Sequence, residues 1–110
     1  MLILGLSLAA SAADISGAWS FTVETDAGSG NPSFTFKQDG EQLTGTYKGQ
    51  LGEAKLQGKV SGKNVEFSFE VDPGEKIKVV YTGTIESDTS MKGKVVLGTM
   101  GQGTWSAKKN

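Results

Sequence analysis

Apolar side chains recur at every second position along most of the chain from Ile15 onward. In the first such segment Trp19, Phe21 and Val23 share one parity, and polar or small side chains lie between them. This alternation is typical of a β-strand that buries one face, because successive side chains of a strand point to opposite sides. The pattern repeats in seven further segments, and no amphipathic helical period appears. The sequence therefore predicts eight strands and no helix.

Short turn sequences separate neighbouring segments. Asp39-Gly40, Gly62-Lys63 and Asp72-Pro73-Gly74 contain residue types that favour tight turns. Short connections make consecutive strands antiparallel neighbours, and closing eight of them into a barrel removes both exposed edges of the sheet. We therefore expect an all-β fold, an eight-stranded antiparallel up-and-down (meander) β-barrel. A β-sandwich is the alternative.

The turns also predict which residues face each other on adjacent strands. A two-residue turn at Gly62-Lys63 places Gly58 opposite Phe67 and Leu56 opposite Phe69. A phenylalanine beside a mid-strand glycine covers the bare backbone, which stabilises the pair.

Four predicted strands carry a glycine at an inward position between two apolar residues. Such glycines permit the sharp coiling of a small barrel, or they leave room for a ligand; we favour the structural interpretation. If Ile85 pairs with Met91, two of these glycines face each other across neighbouring strands. The four are Gly45, Gly58, Gly83 and Gly93.

The amino-acid composition excludes several classes of catalytic and metal-binding site. The chain has no Cys and no His, which removes thiol nucleophiles, disulfides, Cys/His zinc sites and imidazole-based catalytic dyads and triads. Its formal net charge of -1 gives no basic excess that would favour nucleic acid. Glu66 and Glu70 share the outer face of one strand, which is typical of a solvated surface. We therefore expect a non-enzymatic protein with no cofactor, no bound metal and no nucleic-acid partner.

Residues 1–13 differ from the rest of the chain. A short apolar run is followed by small residues, as in a secretory signal peptide, and it is shorter than the about 20 apolar residues that a transmembrane helix needs. No Lys or Arg precedes the run, so we expect that the true start lies upstream or that the chain is a fragment. A buried N-terminal strand or short helix is the alternative. We expect removal of residues 1–13 to leave residues 14–110 as one barrel domain, secreted or periplasmic.

Three short motifs connect this pattern to known barrels. They are Gly17-Ala-Trp19 in the first predicted strand, Leu43-Thr-Gly-Thr-Tyr47 in the third and Tyr81-Thr-Gly83 in the sixth. With these motifs the chain resembles the calycin-like barrels, most closely the avidin and streptavidin group, from Ile15 to about Lys108. It also resembles small secreted bacterial proteins of this barrel type that have no established activity. Lipocalins share the opening Gly-x-Trp and usually carry an Arg in the last strand, whose place Lys108 would take here.

The avidin resemblance implies the fold but not biotin binding. Tyr47 matches the tyrosine that hydrogen-bonds the ureido oxygen of biotin in that family. Phe21, Gly49 and Gly103 stand where the family has a polar residue, a serine and a ureido-binding aspartate. Tyr81 takes the place of a stacking tryptophan, and Val79 replaces a threonine in the same strand. Tight binding depends on several well-placed polar partners, so high-affinity biotin binding should be lost.

The inward face predicted by the alternation is apolar, and an eight-stranded barrel is either filled by side chains or holds one small ligand. In a hollow barrel, aromatic rings would form the walls, and two tyrosines and a glutamine would orient the ligand. We expect the mouth at the end that holds the longest predicted loop, Thr25 to Asn31, together with the turns around Gly49, Pro73 and Gly101. The candidate ligand-binding residues are Trp19, Phe34, Phe36, Gln38, Tyr47, Phe67, Tyr81 and Trp105.

Two functions follow from these alternatives. The first is a secreted, non-enzymatic barrel that binds a small hydrophobic ligand in its interior. The second is a structural or interaction module with a filled core, which recognises a protein or glycan through its loops or outer face. In either case we expect no membrane span, and we favour a monomer.

Overall fold

The computed structural model describes residues 13–110, which form one closed antiparallel β-sheet. Consecutive strands pair with each other, and the first strand also pairs with the last, which closes the barrel. The predicted up-and-down barrel is therefore confirmed. Residues 1–12 of the predicted signal peptide lie outside the described residues. The strands are β1 (Gly17–Thr25), β2 (Gly28–Gly30), β3 (Ser33–Asp39), β4 (Gln42–Gly49), β5 (Gly52–Ser61), β6 (Asn64–Val71), β7 (Ile77–Ser87), β8 (Ser90–Leu97) and β9 (Gln102–Lys109).

The barrel has eight sides although nine strands form it, because β2 and β3 lie one after the other along the same edge of β1. Both pair with β1 in the same register, and the backbone N–H of Phe21 donates to the Pro32 carbonyl between them at 3.0 Å. The ladder is thus continuous across the break. The prediction of a loop from Thr25 to Asn31 is wrong, since the chain turns at Asp26 and Ala27 and returns at once as β2.

The predicted registers of two hairpins are confirmed. Gly58 pairs with Phe67, and Gly83 pairs with Gly93. The turn between β5 and β6 lies at Gly62-Lys63 as predicted, with Gly62 at a φ of 60° that favours glycine. The β5–β6 ladder ends at Gln57 and Ser68, so the predicted pairing of Leu56 with Phe69 is absent from it.

The inward glycines let adjacent strands approach closely. A Cβ atom on Gly45, Gly58 or Gly93 would overlap a carbonyl oxygen of the neighbouring strand, and one on Gly83 would lie 2.5 Å from Cζ2 of Trp105. Backbone and ring atoms therefore already occupy the space that a side chain would take. These positions mark tight bends of the sheet, and they supply no room for a ligand.

One end of the barrel is closed by the segment that precedes β1. Ile15 is completely buried there. Its carbonyl accepts a hydrogen bond from Nε1 of Trp19, and its N–H donates to Oε1 of Gln38, both at 2.9 Å. This segment, called here the Ile15 plug, thus connects β1 to β3 through side-chain hydrogen bonds.

The last strand places Lys109 beside the opening Gly-x-Trp motif. Lys109 pairs with Trp19 across the β1–β9 ladder, and its Cε would lie 3.0 Å from a Cβ added to Gly17. Lys108 has the opposite parity and is exposed on the outer face. The expectation that Lys108 lies in this position is therefore wrong, because Lys109 carries the inward parity.

Candidate functional site

A cavity of about 160 Å³ opens at the end of the barrel opposite the Ile15 plug. It is bordered by the inner ends of several strands and by three of the turns that connect them. This is the end where the sequence placed a mouth. The lining residues are Val23, Thr25, Ala27, Gly28, Ser29, Gly30, Asn31, Pro32, Tyr47, Gln50, Leu51, Phe69, Val79, Tyr81, Leu97 and Met100.

The strands position the walls of this cavity through their inward parity. Val23, Val79 and Leu97 are buried and lie near the mouth ends of β1, β7 and β8. The rings of Tyr47 and Phe69 stack with centroids 4.4 Å apart. Aliphatic side chains and aromatic rings therefore form the inner wall of the cavity, which suits an apolar ligand.

Two tyrosine hydroxyl groups introduce polarity at this cavity. The hydroxyl of Tyr47 accepts a hydrogen bond from the backbone N–H of Leu51 at 3.4 Å, so its own proton stays available for donation. The Tyr81 side chain is only 3% exposed, and its hydroxyl has no hydrogen-bond partner within residues 13–110. In the same part of the chain no fully enclosed side-chain N or O atom lacks a partner, so the Tyr81 oxygen is in contact with open space.

Both hydroxyl groups are protonated at neutral pH, and burial raises the pKa of each further above it. Removal from water raises the pKa of Tyr47, because a phenolate loses its hydration there, and the hydrogen bond from Leu51 opposes this only in part. The same effect raises the pKa of Tyr81 further, and the nearby Tyr47 adds to the increase. At neutral pH the cavity thus presents these two uncharged hydroxyl donors, beside the polar side chains of Thr25, Ser29, Asn31 and Gln50 that also line it.

The cavity wall carries no charge. None of the described residues that line it is Lys, Asp or Glu. An ionised ligand would lose its hydration without gaining a counter-ion, which is costly. Across residues 13–110 there is also no cluster of three or more potential metal ligands. In the same range, no helix is long and apolar enough to cross a membrane.

The predicted site residues separate into three groups. Tyr47 and Tyr81 line the cavity at the mouth. Gln38 lies at the closed end, where its amide bonds Ile15 and the carbonyl of Gly40. The remaining five are buried in the aromatic core between the two ends: Trp19, Phe34, Phe36, Phe67 and Trp105.

The aromatic core is packed directly beneath the cavity. The rings of Phe67 and Tyr81 stack with centroids 4.9 Å apart, and those of Phe21 and Phe34 lie 4.3 Å apart. Trp105 lies 4.9 Å from Phe21 in a stacked arrangement. Ring contacts thus fill the middle of the barrel beneath the cavity.

The sequence interpretation missed the residues that form the rim. Leu51 and Met100 lie in turns, where strand parity carries no information, and Met100 is 41% exposed. Their only sequence signal is an apolar side chain within a polar, Gly-rich turn. Phe69 and Val79 have the inward parity of their strands, but their position at the mouth depends on where those strands end.

Comparisons with known proteins agree with the fold. The chain matches no protein-family model and no curated protein. It is similar to a solved redesigned β-barrel, with a TM-score of 0.73 and 18% identity over 96% of this chain and 99% of that one. It is also similar to the redesigned barrel mFAP1 bound to DFHBI, with a TM-score of 0.64 and 14% identity over 87% and 94%. EF1p2_mFAP2b bound to DFHBI has a TM-score of 0.65 and 15% identity over the same shares. At these identities the likeness establishes the barrel fold alone.

Proposed function

We propose that this protein is an exported, non-enzymatic β-barrel that binds a small, largely apolar molecule in the cavity at its mouth. The observation that carries the proposal is a cavity of about 160 Å³ with a mainly apolar inner wall, two tyrosine hydroxyls and no charged lining among the described residues. An apolar protein cavity of about 150 Å³ is large enough for benzene. The cavity therefore has room for an apolar molecule about as large as benzene.

The similar barrels support ligand binding as a use of this fold. Two of them were solved bound to the small ligand DFHBI. Their sequences share 14% and 15% identity with this chain, so the identity of the ligand does not transfer. The short motifs around Trp19 and Tyr47 favour a calycin-like origin, and the missing polar partners argue against biotin.

The export and the absence of catalysis are parts of the same proposal. The apolar and small residues at positions 1–13 support a signal peptide, whose removal would leave Asp14 and the Ile15 plug in the mature chain. Against an enzyme stand the lack of Cys and His in the sequence and the lack of a carboxylate among the described cavity residues.

A variant that fills the cavity tests this proposal. Gly30 lines the cavity, and a Cβ added there would meet the Gln50 side chain at an ordinary contact distance of 3.5 Å. Gly30→Leu should therefore place a side chain in the cavity without displacing backbone. Thr104→Leu is the matched control, because Thr104 is exposed on the outer face of β9.

The assay is a titration of each ¹⁵N-labelled protein with cumene, followed by amide chemical shifts. Wild type and Thr104→Leu should show saturable shifts at residues around the mouth, and Gly30→Leu should show none while keeping a dispersed spectrum. Absence of binding to the wild type, or equal binding to Gly30→Leu, would contradict the proposal.

A groove on the outer face favours a second candidate function, recognition of a glycan or protein. It has a volume of about 540 Å³ and crosses the outer surface of β4 to β7. Its polar lining includes Gln42, Gln57, Lys59, Glu66 and Lys78. Amide shifts confined to these residues on addition of an oligosaccharide would favour this function.

A further inference from the structure

We propose that the molecule bound at the mouth is an uncharged, single-ring aromatic compound whose carbonyl oxygen accepts a hydrogen bond from the hydroxyl of Tyr81. This inference rests on the proposed function and narrows it to a chemical class of ligand. Three features of the cavity carry it: its size and aromatic wall, the unused donors of two tyrosines, and the lack of charge in its lining.

The size and wall of the cavity favour a single ring. Its volume of about 160 Å³ is close to the about 150 Å³ of a cavity that accommodates benzene. The stacked rings of Tyr47 and Phe69 and the ring of Tyr81 border this space. Aromatic rings favour offset-stacked or edge-to-face contact with another ring, which an aliphatic ligand cannot make.

The tyrosine hydroxyls favour a hydrogen-bond acceptor on the ligand. Tyr81 is 3% exposed, and its hydroxyl bonds no other group in the described part of the chain. Tyr47 already accepts a hydrogen bond from the backbone of Leu51, so its remaining capacity includes the donation of its own proton. A carbonyl oxygen has two lone pairs, so it can accept a hydrogen bond from such a hydroxyl. A ligand that fills the cavity displaces water from these hydroxyls, and a donor that is then left unbonded is costly, so a ligand that supplies the acceptor binds better than one that does not.

The uncharged lining excludes a carboxylate as the acceptor. None of the cavity residues between positions 13 and 110 is a lysine, and the sequence contains neither Arg nor His. A buried carboxylate without a cation pays a large desolvation cost. A ketone, aldehyde or amide carbonyl accepts the same hydrogen bond without that cost.

Three compounds with the same number of non-hydrogen atoms allow the contributions of the ring, the carbonyl and the charge to binding to be measured separately. Acetophenone has the ring and the carbonyl, cumene replaces the oxygen by a methyl group, and benzoate carries a charge. Dissociation constants for wild type and Tyr81→Phe are measured with each compound by amide shifts. The variant removes one oxygen atom and keeps the ring that stacks on Phe67.

We expect Tyr81→Phe to weaken acetophenone binding about 10-fold and to change cumene binding less than about 2-fold, since a neutral hydrogen bond supports a difference of this order. Benzoate should bind wild type at least about 10-fold more weakly than acetophenone. If Tyr81→Phe does not fold, Tyr47→Phe provides the same comparison for the second donor.

The outcomes distinguish the two proposals. If cumene binds and acetophenone affinity is unaffected by loss of the hydroxyl, the carbonyl inference is overturned and the proposed function stands. If benzoate binds as tightly as acetophenone, the uncharged class is overturned. If wild type binds none of the three compounds at the mouth, the proposed function itself fails.

Discussion

The two kinds of inward glycine in this barrel give opposite predictions for the same substitution. Gly93 lies inside β8 and Gly30 is the last residue of β2; both point inward, and neither has a φ in the left-handed region. An added Cβ on Gly93 would overlap the carbonyl oxygen of Thr82 and lie 2.5 Å from Cα of Gly83, whereas one on Gly30 has ordinary contacts only. Gly93→Ala and Gly30→Ala therefore form a matched pair.

The structure sets the expected magnitudes. Contacts of the new Cβ on Gly93 must lengthen by roughly 1 to 1.5 Å to reach normal packing distance, which separates β7 from β8 at the centre of their ladder. Overpacking of this kind costs about 1–3 kcal/mol, and a weakened ladder hydrogen bond adds about 1 kcal/mol. Alanine also restricts the unfolded chain more than glycine does, which stabilises the folded state by only about 0.4–1 kcal/mol. We expect Gly93→Ala to lower the free energy of unfolding by about 2–3 kcal/mol and Gly30→Ala to raise it by up to about 1 kcal/mol.

Equilibrium urea denaturation of wild type and both variants measures these changes. The fluorescence of Trp19 and Trp105 monitors the unfolding. The buried positions of both indoles make their emission sensitive to unfolding. Thermal unfolding should show the same order, with Tm lower by about 10 °C or more for Gly93→Ala. Equal stabilities of the two variants would refute the reasoning that close strand approach requires the inward glycines.

Two further predictions concern the closed end and the tyrosines. Trp19→Phe removes the hydrogen bond to the buried Ile15 carbonyl and should destabilise the barrel by about 2 kcal/mol, measured by the same denaturation; an unchanged midpoint would show that the plug contributes nothing. Because burial raises the pKa of Tyr47 and Tyr81 in the folded state, the stability they contribute is complete below the unfolded value near pH 10 and is lost as pH rises above it. Tyr81→Phe should reduce this alkaline loss, measured by urea midpoints between neutral pH and about pH 11; an identical pH profile would contradict it.

The sequence predicted the fold well because the barrel depends on parity and turn length. The Gly62-Lys63 turn and the Gly83–Gly93 pair were correct, since a short turn fixes the register of both strands that it connects. β2 was missed because Gly28-Ser-Gly30 has no apolar side chain, so its alternation leaves no trace in the sequence. Its pairing with β1 comes from the tertiary context alone.

The candidate site was only partly predictable. Parity identified Tyr47 and Tyr81 as inward, but it does not say how far along the barrel the core is filled. Gln38 was assigned to a ligand, yet its amide is used by Ile15, which precedes the first predicted strand. Met100 lines the cavity from a turn, beyond the reach of strand alternation. The alternation of apolar and polar residues therefore predicts neither how far the core fills the barrel nor where the turn residues lie.

The most direct test of a ligand site at the mouth is a set of intermolecular NOEs between acetophenone and the methyl-labelled protein. If the ligand binds at the mouth, we expect NOEs from its ring to the methyl groups of Val79 and Leu97, which line the cavity. Val80 and Val96 lie one residue away on the outer face, and the site at the mouth predicts no NOE to either. NOEs to Val80 and Val96 alone, or none to any of the four, would contradict it.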